Sequence, residues 1–164
     1  MEQQNLKELI KHGFAAMKAG SDVAAQSTDE IQQDAKKAEL KESLRRGNEQ
    51  AKVWAQRIER GLQEAGGNAD ERNEILEAHY QVSKAIRANA KDDDTRDLGI
   101  IASGQLALHY WIAAFGTQAN YAKAAGLDQA SQDLKTCLDE AKQADERLNQ
   151  AAESILAGQL VNSH

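Results

Sequence analysis

Apolar and small residues recur along this chain at alternating steps of three and four, the spacing of a helix with one buried face. The most apolar segment runs from Leu98 to Leu127 and contains no Asp, Glu, Lys or Arg before Lys123. Its inward row is Ile101, Gly104, Leu108, Trp111, Phe115, Gln118 and Ala122. This pattern predicts a long helix that packs one face into a hydrophobic core.

Three further segments show the same spacing and predict three more long helices. The first is expected over residues 5–37, the second from about residue 39 to Gly66 and Gly67, and the fourth from Asp128. A glycine inside a helix costs roughly 1 kcal/mol relative to alanine, so Gly13 and Gly20 indicate close helix neighbours. The inward rows are Leu6, Ile10, Met17, Ala24, Ile31 and Ala35 in the first helix; Leu40, Leu44, Gly47, Ala51, Trp54, Ile58 and Leu62 in the second; and Leu134, Cys137, Ala141, Ala144, Leu148, Ala151 and Ile155 in the fourth.

The connection over residues 68–97 decides the topology. It is long enough to cross the bundle, and a shorter helix is expected within it from Ile75, Leu76, His79, Tyr80, Ser83 and Ile86. Asp94 or Thr95 is expected to cap the third long helix. Four long helices with one long central connection predict an all-α, ferritin-like four-helix bundle with a short additional helix in the crossover between helices 2 and 3. We expect one domain over residues 1–158 and a short tail over 159–164.

Composition and charge narrow the class of protein. The chain has no proline, few aromatic residues and a formal charge of −6 with acids and bases interspersed, which favours helices and offers no basic face for nucleic acid. Its single cysteine, Cys137, excludes an internal disulfide and a Cys-rich zinc site, and on the inward row it is expected to be a small buried hydrophobe. The charged N-terminal stretch does not read as a signal peptide, and no apolar run approaches the roughly 20 residues of a membrane span. We therefore expect a cytoplasmic protein with no membrane partner.

The third long helix carries a recognisable phrase. LHYWIAAFGTQANYAKAAGL resembles the E-H-Y-E-I-A-x-Y-G-T-L-x-x-L-A-x-x-L-G of the YciF-like stress proteins, a ferritin-like bacterial family, and LKTCLDEAKQADERLNQAA is similar to that family's fourth helix. The family's first two helices align with Leu6 to Ile58 without a gap, whereas the crossover matches poorly. The resemblance implies a ferritin-like bundle, a homodimer and a link to stress.

The resemblance also implies where a metal centre would lie. Relatives place inward Glu and His residues suited to a di-iron site, and the second-helix histidine position falls on Lys52 or Trp54, depending on the relative compared. The former-ligand positions are occupied here by Ser21, Gln50, Trp54, Leu108, Trp111 and Ala141. Replacing buried charges by apolar contacts is often neutral or stabilising. We therefore expect no cofactor and a hydrophobic core in place of the metal centre. The two indoles are expected to fill the space of that centre, and Gly47 and Gly104 are expected to provide the room for them.

Four residues remain as candidates for a residual metal site, namely Glu49, Glu140, Asp145 and His109. At about 100° per residue, Glu49 lies about 200° from its own helix's inward row and His109 about 120° from its row, so both are expected outside the core. A few carboxylates with at most one histidine make a weak site for iron or manganese. An interface with the crossover helix or with a second subunit is instead expected to involve His79, Tyr80, His109 and Tyr110.

Two functions from different classes fit these patterns. The preferred one is a non-enzymatic stress-associated protein that acts through self-association or protein contacts, because no nucleophile elbow, phosphate loop or dinucleotide motif is present. The alternative is a metal-dependent ferritin-like oxidase, peroxide scavenger or metal store with a site rearranged around Glu49, Glu140, Asp145 and His109. The partner, the trigger and the oligomer size are not specified by the sequence.

Overall fold

The computed structural model describes residues 2–162, and within them the chain forms five helices and no strand. These are α1 (Gln3–Asp34), α2 (Ala38–Glu64), α3 (Glu74–Asn89), α4 (Asp93–Ala124) and α5 (Asp128–Asn162). Helices α1, α2, α4 and α5 form the bundle, in which α2 and α4 each pack against both α1 and α5. The α2 and α4 helices meet through the rings of Trp54, Trp111 and Phe115. Helix α3 lies in the crossover and packs on α1 and α4. The predicted all-α, ferritin-like bundle with a crossover helix is confirmed.

The ends of the helices follow local chemistry, and one predicted end is wrong. Helix α4 is capped by Asp92, not by Asp94 or Thr95, because the Asp92 carboxylate accepts from the Thr95 backbone N–H at 2.7 Å while the Thr95 hydroxyl faces the Asp92 backbone N–H at 3.4 Å. This reciprocal pair is a capping box. Gly126 has a φ of +77° just after α4, where the Leu127 N–H bonds to the Ala122 carbonyl. Such a left-handed residue is the usual helix stop.

Two helix lengths differ from expectation. Helix α1 ends at Asp34 because the chain turns there into α2, three residues before the expected end. Helix α5 continues to Asn162, past the point at which a tail was expected, since nothing in its last turns breaks the backbone pattern. Residues 163 and 164 of the expected tail lie outside the described residues.

The hydrophobic core consists of two clusters along the bundle. One contains both tryptophans and both phenylalanines with Ile58 and Leu134. The other contains Ile31, Leu40, Ile100, Ile101, Leu148 and Ile155. Tyr80 and Leu108 pack against both clusters, so they lie where the two meet. The close approaches expected at the α1 glycines are present, since Gly13 faces Gln118 and Gly20 faces Asn73 and Leu76.

Polar side chains fasten the crossover and the first turn to the bundle. Arg87, only 5% exposed, donates to Asp34 at 2.8 Å and to Glu30 at 3.0 Å, which ties α3 to α1. Asp97 of α4 is fully buried and accepts from the backbone N–H groups of Lys36 and Lys37 at 2.8 and 2.7 Å. The α1–α2 turn is therefore held by a side chain from a different part of the chain.

Candidate functional site

The bundle centre brings together four of the six former-ligand positions. Gln50 and Trp54 of α2 and Leu108 and Trp111 of α4 line one cavity of about 130 Å³. Trp54 and Trp111 are 5% and 6% exposed, so both indoles point inward. The remaining two positions lie elsewhere: Ala141 is fully buried in the core, and Ser21 is half-buried on α1.

The two indoles and Phe115 form a compact aromatic group. The Trp111 ring stacks on Phe115 with centroids 5.2 Å apart, and Trp54 meets Phe115 edge-on at 5.3 Å. The two indole centroids are 6.4 Å apart. These separations lie in the favourable range for aromatic pairs. The indoles therefore lean on Phe115, which itself does not line the cavity.

Because the indoles lean to one side, the expectation that they fill the space is wrong. A Cβ placed on Gly47 would have no atom within 4 Å. A Cβ on Gly104 would meet only Leu148, at 3.0 Å. The room at Gly47 is therefore left open as part of the cavity.

Glu140 of α5 bonds to two residues of the cavity wall, and three donors from α2 converge on one of its oxygens. Oε2 accepts from Gln50 Nε2 at 2.9 Å, from Trp54 Nε1 at 2.8 Å and from the Arg57 guanidinium at 2.6 Å. The Arg57 and Glu140 side chains are 17% and 24% exposed. The bond to Glu140 raises the pKa of Arg57 above its ordinary value. The Glu140 carboxylate is thus already bound by an arginine and two neutral donors, and this oxygen is not free to bind a metal ion.

The other residual candidates do not join Glu140. Glu49 is exposed and pairs with Arg45 at 2.6 Å, and His109 faces Asp145 at 3.3 Å on the α4–α5 surface. Among residues 2–162, no group of three or more His, Cys, Asp or Glu side chains is placed to hold a metal ion. The residues present do not fit a di-metal centre, which needs several such ligands from facing helices.

The candidate interface residues divide into two kinds. Tyr80 and Tyr110 make contacts within the single chain. Burial raises the pKa of Tyr80 to about 12, and the Tyr110 hydroxyl accepts a 2.6 Å hydrogen bond from Asn73 at the start of α3. His79 stacks edge-on against Tyr80, and burial lowers its pKa. His109 is 65% exposed and pairs with α5, away from the crossover helix that was one expected partner.

Cys137 is fully buried and carries no sign of nucleophilic activation. Burial raises the pKa of its thiol to about 11, although the Arg57 guanidinium lies 3.7 Å from the sulfur. A reactive cysteine has a lowered pKa and some exposure. The thiol is therefore neutral and inert at physiological pH.

The outer face of α4 is apolar as well as its inner face. An exposed row follows helical spacing and consists of Ala102, Leu106, His109, Ala113, Thr117 and Tyr121. Contrary to the expectation of no such run, α4 is long and apolar enough by composition to cross a membrane, because uncharged Gly, Ala, Ser and Gln separate its large apolar residues. Core helices of soluble proteins can have the same length and composition. In α4, however, only 28% of the most apolar 18-residue stretch is buried.

Comparison with known proteins places the chain among stress-protein relatives. The model of a family described as a domain of unknown function, DUF892, matches residues 5–161. Protein YciF of Escherichia coli strain K12 is 33% identical over 86 residues, which are 52% of this chain and 45% of that relative, so the matched stretch spans less than half of YciF.

Two solved structures are similar over most of the chain. The crystal structure of the E. coli stress protein YciF superposes with a TM-score of 0.88 at 19% identity, covering 93% of this chain and 97% of that one. YcfI of Rhodopseudomonas palustris, described as a candidate structural protein, gives a TM-score of 0.83 at 21% identity, covering 88% and 92%. At these identities the two structures establish the shared fold.

Proposed function

The chain is a YciF-like member of the DUF892 family, and from that premise we propose that it is a non-enzymatic stress-associated protein that acts by pairing with a second copy of itself. The stress association follows from the naming of E. coli YciF as a stress protein. The description of YcfI as a candidate structural protein agrees with a role without catalysis.

The observation that carries the proposal is the uncharged and mostly exposed outer face of α4. Between Leu98 and Ala122 the helix has no Asp, Glu, Lys or Arg, and Leu106 on the outer row is 65% exposed. A helix that is apolar all round is normally buried on every side. In this monomer only the inner side is covered, by α1, α3 and α5.

A second copy is the occupant that suits this face best. The α4 outer row contains no Asp, Glu, Lys or Arg, so two copies of this acidic chain meet less charge repulsion there than across their charged surfaces. Two identical rows can meet about a two-fold axis, which is the commonest symmetry of oligomers. A membrane suits it less well, because insertion would withdraw Trp111 and Phe115 from the core that they help to build.

Two of the candidates for chemistry in the bundle are already engaged within the protein. Glu140 is bound by Arg57, and Cys137 is buried as a neutral thiol. A general base needs a reachable proton and a pKa near the working pH. His109 faces Asp145 at 3.3 Å, but its side chain is 65% exposed and does not line the central cavity.

The test of pairing is the mass of the purified protein in solution. We expect the wild type to elute as two chains by size-exclusion chromatography with light scattering, and Leu106→Asp to elute as one chain with unchanged helical circular dichroism. Leu9→Asp is the matched control, because Leu9 is 54% exposed on α1 and should leave the dimer intact. A monomeric wild type, or a Leu106→Asp variant that stays dimeric, would contradict this interface.

The metal-dependent alternative is tested separately. Protein purified from cells supplied with iron or manganese is expected to contain far less than one metal ion per chain. Stoichiometric metal that is lost in a Glu140→Gln, Asp145→Asn double variant would overturn the non-enzymatic proposal and support the oxidase, scavenger or storage role.

A further inference from the structure

The cavity at the bundle centre has the size and the lining of a binding site for a small molecule. All five helices contribute to its wall, and none of the lining residues is Asp, Glu, Lys or Arg. Most of the wall is formed by Ala, Gly, Leu, Ile and the two indoles. Its volume is about 130 Å³, and Leu44, Gly47 and Leu108 in its wall are only half-buried, so the cavity opens in part to solvent.

Several polar groups in the wall are already occupied by other protein groups. Asn48 donates to Gln32 at 2.9 Å, and Gln50 and the Trp54 N–H both donate to Glu140. Ser83 and Ser103 lie 3.2 Å from each other, and Arg87 donates to Ser83. These groups are therefore engaged within the protein, and no charged side chain lines the cavity to hold a charged ligand.

Several uncharged polar groups in the wall have no hydrogen-bond partner within the described residues, namely the Thr28 and Ser43 hydroxyls, the Tyr80 hydroxyl and the His79 ring. Tyr80 and His79 are aromatic rings with a single polar edge, and both lie on α3. The wall therefore combines a large apolar area with a few uncharged hydrogen-bonding groups, which suits an uncharged molecule.

We propose that this cavity is a binding site for a small uncharged aromatic or aliphatic molecule of about benzene size. The ligand would lie against Trp54 and Trp111 and occupy the open room beside Gly47. The proposal is independent of the pairing proposed for α4, because the cavity wall does not include the exposed row of that helix. A failure of one proposal therefore leaves the other in place.

Toluene is a suitable probe, with benzoate as the charged analogue of the same ring. We expect toluene to bind saturably in a calorimetric titration and to shift both indole N–H signals in a proton–nitrogen NMR spectrum. Benzoate should do neither, because no cation lines the cavity to offset its charge. Absence of saturable toluene binding, or binding that shifts neither indole signal, would overturn the proposal.

Gly47→Leu is the variant that separates the cavity from the apolar surface. Its side chain would enter the open room at Gly47, so saturable toluene binding should be lost while circular dichroism is retained. Gly116→Ala is the matched control, because it also replaces a helical glycine, its Cβ would make an ordinary 3.7 Å contact with Leu138, and it lies outside the cavity wall. Undiminished toluene binding by Gly47→Leu would place the ligand elsewhere and refute the site.

Gly47→Ala provides a second variant should leucine disturb the fold. Its Cβ would meet no atom within 4 Å, so the chain should fold as the wild type does. The added methyl group narrows the cavity, and toluene should bind more weakly than it does to Gly116→Ala. Equal affinity in the two alanine variants would count against the proposed position.

Discussion

Glu140 shows how one retained acid can change its role. Its carboxylate lies between α2 and α5 and accepts from Arg57, Trp54 and Gln50 at once. Charge-assisted bonds of this kind are stronger than neutral ones. Two of the three donors occupy former-ligand positions, so the acid and the replaced residues now form a single hydrogen-bonded unit.

We predict that Glu140→Gln destabilises the fold by about 2 to 3 kcal/mol, because the partly buried Arg57 loses its counter-ion and an amide N–H₂ would face other donors. Urea unfolding followed by circular dichroism measures the change. Glu49→Gln is the control, since this exposed pair with Arg45 should contribute about 0.5 kcal/mol or less. Equal losses in the two variants would contradict the role given to Glu140.

Tyr80 gives the molecule a pH dependence on the alkaline side. Burial raises the pKa of its hydroxyl from the ordinary value of 10.0 to about 12, so the unfolded chain loses this proton first and stability falls as pH rises from about 10 towards 12. Tyr80→Phe removes this contribution. We expect the wild type to lose about 1 kcal/mol more than Tyr80→Phe between about pH 9.5 and 11, measured by urea unfolding.

Cys137 titrates in the same range, but it does so in both proteins and cancels in the comparison. The two proteins should have similar stability at neutral pH, since the Tyr80 hydroxyl has no protein partner within the described residues. Parallel alkaline curves for the two proteins would refute the assignment.

At the scale of the element, α3 and the α1–α2 turn depend on contacts from elsewhere in the chain. The short helix was predictable from the spacing of residues 75–86, all of which lie within Glu74–Asn89 of α3. The attachment of α3 to α1 through Arg87 and Asn73 was not predictable, because both residues have polar neighbours in the sequence that give no sign of burial. Asp97 was expected only as part of an acidic run before a helix, yet it is fully buried.

We predict that Asp97→Ala costs about 3 kcal/mol, because it removes a fully buried side chain that accepts from the backbone N–H groups of both Lys36 and Lys37. Equilibrium urea unfolding provides the measurement. Asp93→Ala is the control on the same helix turn, where a 68% exposed side chain pairs only with Arg96 and should contribute about 0.5 kcal/mol or less. If Asp97→Ala proved as mild as this control, the turn would not depend on Asp97.

At the scale of the whole molecule, stability should depend on protein concentration if the chain folds as a dimer. A species that binds only the folded form raises stability by mass action. For the wild type we expect the melting temperature to rise by about 2 °C per tenfold increase in concentration. Leu106→Asp should show no such rise in the same calorimetric series, and a flat wild-type series would argue against a dimer.

The sequence by itself determined the order of the helices, their inward rows and the family resemblance, because the helical period acts over a few neighbouring residues. Even the inward direction of Trp54 and Trp111 follows from that period. The ends of α1 and α5 and the cap of α4 differ from the prediction. The tertiary structure alone decided which polar groups meet, as at Glu140 and Asp97, because those meetings depend on the rotation and depth of helices distant in sequence. It also decided that the bundle centre is open at Gly47, since an unfilled volume is a property of packed neighbours and of no single residue.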